Sequence, residues 1–142
     1  MIMVSACLVG VRCRYDGTAC ASPWLLGRLA GEALIPVCPE VAGGAPVPRS
    51  RSQMRGGPGG MVIDGRARVV REDGRDVTEE FLRGARAVLE LSRSFGVEAA
   101  YLKSRSPSCG VGRVWCDGEL SAGNGVAAEM LSRGGVEVIP VE

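Results

Sequence analysis

The stretch Val97–Gly110, VEAAYLKSRSPSCG, changes character halfway along. VEAAYL is an apolar run of strand length, and it passes at once into a lysine, an arginine, three serines, a proline and a cysteine. A buried strand that emerges into such a segment presents small polar groups and a thiol at one edge of a sheet. Two other apolar runs end alike: IMVSAC, residues 2–7, stops at Cys7, and ALIPVCPE, residues 33–40, stops at Cys38 before Pro39 and Glu40.

Helix patterns separate these runs. Ser22 followed by Pro23 is a good start signal for SPWLLGRLAGEA. Asp76 and Thr78 open EEFLRGARAVLELSRSFG, in which Phe81, Leu82, Ala85, Val88, Leu89 and Ser92 share one face at helical spacing. GNGVAAEMLSRGG predicts a third helix, and VEVIPV a last strand. Strands that are apolar throughout and alternate with helices predict a parallel sheet covered on both faces. The expected fold is therefore α/β: one domain over residues 1–142, with an open, mainly parallel, Rossmann-like sheet, helices on both faces and small hairpin insertions. Asp64-Gly65 in MVIDGRARVV is a hairpin signal, and VGRVWCDGEL resembles a second hairpin. Residues 42–60, rich in Gly, Pro, Arg and Ser, are expected to form a long mobile loop of the kind that often serves as a lid.

In open parallel sheets ligands bind in the crevice at the carboxyl ends of the strands. That rule brings Cys7, Cys38 and Cys109 to one edge, although they lie far apart in the chain. Three thiols with no histidine make a soft site, suited to zinc, copper(I) or an iron–sulfur cluster, and three ligands leave one metal position free. Buried structural cysteines are the alternative, since free cysteine is among the most buried residue types. Cys13 lies where it can approach the site, whereas Cys20 and Cys116 are expected to pack as small apolar residues.

Composition narrows the chemistry. The 142 residues include 46% hydrophobic ones and 17 basic against 16 acidic, a net charge of +1. That balance lacks the basic footprint of a nucleic-acid binder. No apolar run approaches the ~20 residues of a membrane span. The N-terminus lacks the charged region of a signal peptide, so a cytoplasmic protein is expected. In that compartment the six cysteines are not expected to form disulfides, and none is spaced as C-x-x-C. The chain has no histidine, which removes Ser-His-Asp and Cys-His catalysis. Lys103 is the only lysine beside sixteen arginines, and only lysine of the two can lose its proton when desolvated. Gly123-Asn-Gly125-Val-Ala-Ala128 satisfies G-x-G-x-x-A, yet it follows a hairpin and leaves too little chain for a ribose-binding acid. It reads instead as a close helix start. GGPGG at 56–60 lacks the Gly-Lys-Ser/Thr of a phosphate loop.

VSACLVGVRCRYDG, VCPEVAGGAPVPR, DGRDVTEEFLRGA and YLKSRSPSCG followed by GNGVAAEML, in this order over nearly the whole chain, resemble the DUF523 family. Members of that family include thiouracil desulfidases, which use a 4Fe–4S cluster held by three cysteines. The resemblance implies that Cys7, Cys38 and Cys109 are the cluster ligands, that one iron stays open, and that the substrate is a small thiolated base losing sulfide without net redox change. For the accompanying acid–base work the candidates are Glu40 and Lys103, with Ser106 and Ser108 either to orient substrate or water or to cap the backbone after Pro107. Asp16, in Tyr-Asp-Gly, reads better as a turn residue. The rival expectation is a protein that binds metal or sulfide at these cysteines without catalysis.

Overall fold

The computed structural model describes residues 1–142. The chain runs β1 (Ile2–Ser5), α1 (Pro23–Arg28), β2 (Leu34–Val37), α2 (Pro39–Ala42), β3 (Ser52–Arg55), α3 (Gly59–Ile63), β4 (Arg68–Arg71), α4 (Thr78–Ser94), β5 (Ala99–Lys103), β6 (Arg113–Cys116), β7 (Glu119–Ala122), α5 (Val126–Arg133) and β8 (Glu137–Val141). The main sheet has the order β2-β1-β5-β8 and is parallel throughout. The connection from β1 goes one way to β2, and the later strands lie on its other side. The chain therefore reverses direction across the sheet between β1 and β5, where open α/β sheets form their crevice.

Helices cover both faces, as the apolar strands require. Met3, Ala100 and Leu102 meet Val88 of α4 and Leu131 of α5. On the opposite face Val4 packs with Leu25, Leu29 and Cys7. α1 begins where Ser22 and Pro23 predict, with Ser22 Oγ accepting from the Leu25 N–H at 3.2 Å. Along α4, Phe81, Ala85, Val88 and Ser92 are buried, the face that its periodicity marks. The two outer strands each carry an exposed proline, Pro36 in β2 and Pro140 in β8, a residue confined to sheet edges because it cannot donate to a ladder.

A second, mixed sheet of order β4-β3-β6-β7 was not expected as such. Met54, Val69, Val114 and Cys116 line its buried face against Phe81, Ala85, Val126 and Ala127. Asp117-Gly118 does close the β6–β7 hairpin, with φ of 51° and 81°. Asp64-Gly65 does not close one. Residues 61–63 finish α3, Gly65 turns out of that helix at φ 77°, and β4 pairs with β3 instead. Pro58 starts α3 in a segment too short for helical periodicity to be visible. Residues 42–60 are likewise no single loop, since β3 and the start of α3 lie within them. Met54 is the only apolar residue of β3, SQMR, so no alternation announces the strand.

α2 and α4 cross at two glycines. A Cβ on Gly84 would overlap the Pro39 carbonyl, and one on Gly43 would overlap the Glu80 carbonyl. Both obstacles are backbone, so relief requires moving α2, which lies between Cys38 and the long segment after it. Gly84→Ala should therefore lower stability by about 3 kcal/mol through overpacking, despite alanine's better helix propensity. Urea unfolding checks this, and an unchanged or raised midpoint would mean that the helices separate freely.

Candidate active site

Three strand ends build one cleft of about 370 Å³. After β1 the chain tightens into a 3₁₀ turn over Ala6–Val9 that carries Cys7 and ends at Gly10, φ 100°. After β2, Cys38 sits at the N-cap of α2, so Glu40 falls in that helix's first turn. After β5 the chain turns sharply through Arg105, φ 64°. There Ser106 Oγ accepts the N–H groups of Ser108 at 3.2 Å and Cys109 at 3.0 Å, which fixes the turn that points Cys109 inward. Ser5 ties two of these ends together by accepting the Lys103 N–H at 2.9 Å. α5 braces the same turn: its Val126 and Ala128 N–H groups donate to the Pro107 and Ser108 carbonyls at 2.9 Å. Gly125 permits this, because a Cβ there would stand 2.6 Å from the Ser108 carbonyl. The glycine pattern at 123–128 is thus a close helix start, as its position in the sequence implies.

Cys7, Cys38 and Cys109 all line the cleft, together with Glu40, Lys103 and Ser106. Cys13 joins them, 7% exposed, near both Cys7 and Cys38. Burial pushes the Cys109 thiol up to about 12 against the Ser5 hydroxyl, which favours the thiolate, with the charges of Cys38 and Glu40 adding to the rise. Cys38 is pushed up further, first by its hydrogen bond with Cys13 and then by burial. A group that displaces these protons must therefore be a strong thiolate acceptor, as iron and zinc are. Three thiols on a cleft whose wall includes the small residues Ser5 and Ala6 suit a multi-iron cluster, which takes soft ligands and needs close approach of the backbone.

Glu40 is the only acidic residue on the cleft wall, among Arg14, Arg49, Arg51, Lys103 and Arg105. Its Oε1 accepts from Arg49 Nε at 3.1 Å and its Oε2 from Ser108 Oγ at 3.3 Å. Ser108, 2% exposed, does not line the cleft and reaches it only through Glu40. Lys103 Nζ donates to Ser104 Oγ at 3.3 Å within the cleft. At the rim the Arg51 guanidinium lies 4.6 Å from the centre of the Tyr15 ring, and Trp115 is half exposed.

The other candidates fall outside. Asp16 is a turn residue whose Oδ1 accepts from the backbone and hydroxyl of Thr18. Cys116 packs in the core of the second sheet, and Cys20 is half-buried beside the first. Arg49, Tyr15 and Trp115 carried no signal in the sequence. Arg49 is one arginine of sixteen; Trp115 reaches the rim because β6 bridges the turn at Arg105, and Tyr15 because its carbonyl accepts the Arg49 N–H.

A sequence model of the 2-thiouracil desulfurase family matches residues 2–142. An uncharacterized protein of Bacillus subtilis strain 168, YbbK, is 37% identical over 98% of this chain and 94% of its own length. Among solved structures, the [4Fe-4S]-dependent thiouracil desulfidase TudS superposes with a TM-score of 0.82 at 41% identity, over 98% of this chain and 89% of the other. The parallel α/β architecture read from the strand pattern is thus shared with a solved relative.

Proposed function

The chain belongs to the 2-thiouracil desulfurase family, and from that premise we propose that it hydrolyses the C=S bond of a thiouracil-like base, using a 4Fe–4S cluster held by Cys7, Cys38 and Cys109. The observation that carries this reading is the convergence of three sequence-distant strand ends, each bringing a cysteine, on one cleft beside a fixed carboxylate. When bound, the cluster supplies a Lewis-acidic iron that draws electron density out of the C=S bond. The balance is one water consumed, one oxo base formed and one sulfide released, with no change of oxidation state.

The protein's own groups do the rest. Glu40 faces the cleft and takes a proton from the attacking water at Oε1 or Oε2. Ser108 and Arg49 hold that carboxylate from its two sides. Lys103 donates from Nζ to the base or to the departing sulfur, and Ser104 steadies the amine. Ser106 acts on the backbone, holding Cys109 in place. The arginines of the wall draw an electron-rich heterocycle inward, and Trp115 and Tyr15 offer flat surfaces at the rim. None of the six cysteines is in a disulfide, as a reducing cytoplasm requires, so Cys7, Cys38 and Cys109 are available as ligands. No helix is long and apolar enough to cross a membrane.

The test is anaerobic reconstitution with iron and sulfide, removal of excess reagents, and incubation with 2-thiouracil. The expected result is a brown protein that releases sulfide and uracil in equal amounts over many turnovers. A colourless protein, or a brown one that binds the base and releases nothing, would leave the site as a carrier.

A further inference from the structure

The Arg49 side chain is 6% exposed, and each of its three guanidinium nitrogens has a partner. Nε donates to Glu40 Oε1 at 3.1 Å, Nη2 to the Cys13 carbonyl at 2.9 Å and Nη1 to the Pro46 carbonyl at 3.1 Å. Its backbone N–H donates to the Tyr15 carbonyl at 2.7 Å. A planar donor fork with every nitrogen committed has one orientation, unlike a lysine on its flexible stem. Behind the Glu40–Arg49 pair lies a second cavity of about 90 Å³, which shares Glu40, Arg49 and Ser52 with the main cleft. Arg71, which pairs with Asp73, and Arg75, 3.9 Å from Glu80, line it. Glu40 therefore has two places to go: the thiol cleft, or a smaller chamber bearing its own cations.

We propose that Arg49 is a positioning residue whose guanidinium holds the Glu40 carboxylate toward the thiol cleft and out of the chamber behind it. This rests on the reading of Glu40 as the group that accepts the proton of water. Ser108 alone cannot fix the carboxylate, because one hydroxyl to Oε2 leaves rotation about the last side-chain torsion free. Arg49 grips the other oxygen and is itself anchored to two carbonyls on separate segments. An arginine that acts only by setting a neighbour's geometry should lose its effect once that neighbour can no longer do its work.

The experiment is a cycle of Glu40→Gln, Arg49→Met and the double variant, each reconstituted anaerobically and assayed for iron per chain, kcat and KM on 2-thiouracil. Arg49→Met should keep its iron, change KM by less than about threefold, and lower kcat by about 10²-fold, the scale of a reacting group displaced by an ångström. In the Glu40→Gln background the same change should lower kcat by less than about twofold. In Arg49→Ala, added guanidinium should restore turnover several-fold, while methylammonium should not. A structure of apo Arg49→Met should show the carboxylate turned toward Arg71 and Arg75. Multiplying losses in the double variant, lost iron in Arg49→Met, or a carboxylate still facing the cleft would overturn the proposal. Near-normal turnover in Glu40→Gln alone would overturn the reading of Glu40 beneath it, and that outcome is visible without any change at Arg49.

Discussion

Serine in place of Cys7, Cys38 or Cys109 leaves a folded protein that holds less than about a tenth of the wild-type iron and releases no sulfide, since cluster assembly rests on thiolates. The exchange of sulfur for oxygen changes little in volume. It removes a soft ligand and supplies a hydroxyl that does not ionise near neutral pH. Each of the three lies on a different strand end, so no single change undoes the main sheet. The contrast is internal to the chain. Cys116→Ser keeps Asp117 Oδ2 as a partner, which the thiol approaches at 3.6 Å, so it should destabilise by no more than about 1 kcal/mol, and iron content should stay near wild type. Cys20→Ser should change neither stability nor iron content. Cys13→Ser is the sharpest arm, because this thiol sits in the same cleft. Three ligands mean that it keeps its cluster, while iron lost equally at all six positions would defeat the three-ligand assignment. Iron and sulfide analysis, with the absorption near ~400 nm that iron–sulfur proteins show, reads out every arm.

Glu40→Gln should lower kcat by about 10³-fold with iron content unchanged, the range of a lost general base. Glutamine keeps the shape of the side chain. Its carbonyl can still accept from Arg49 Nε, and its amide can donate to Ser108 Oγ, so the hydrogen bonds that position the group survive with one direction reversed. What disappears is the capacity to take a proton. Lys103→Met provides the companion measurement: it deletes the amine, keeps the stem, and should lower kcat by about 10²-fold. A Glu40→Gln enzyme within threefold of wild type would assign the proton transfer elsewhere. Lys103, whose amine also faces this cleft, would then be the first to test.

The legible part of this molecule was the part governed by periodicity and by punctuation. Apolar strands bounded by Ser22-Pro23 and by the amphipathic face from Phe81 to Ser92 specify the parallel sheet and its helices. The carboxyl-edge rule then gathers Cys7, Cys38 and Cys109. The second sheet stayed hidden because β3 pairs through its backbone and offers one apolar residue, Met54. The false hairpin at 61–70 shows the reverse error: Asp64-Gly65 marks a turn, but a turn signal does not say which strands it joins. Arg49 was invisible because its role depends on where Glu40, Cys13 and Pro46 meet, and nothing local to it differs from fifteen other arginines. Cys13 was placed near the site by its neighbours in the chain, and its approach to Cys38 depends on the fold of the 3₁₀ turn before it.

The prolines at the rims of the main sheet have a consequence for crowded solutions. A parallel sheet of four apolar strands would present two sticky borders to any other chain, in the cell or during refolding. Pro36 and Pro140 remove an N–H from each border and set a ring where a newcomer's backbone would lie. The sheet is thereby closed to growth by strand addition. The framework that carries the three cysteine-bearing strand ends thus resists pairing with other chains along both its borders.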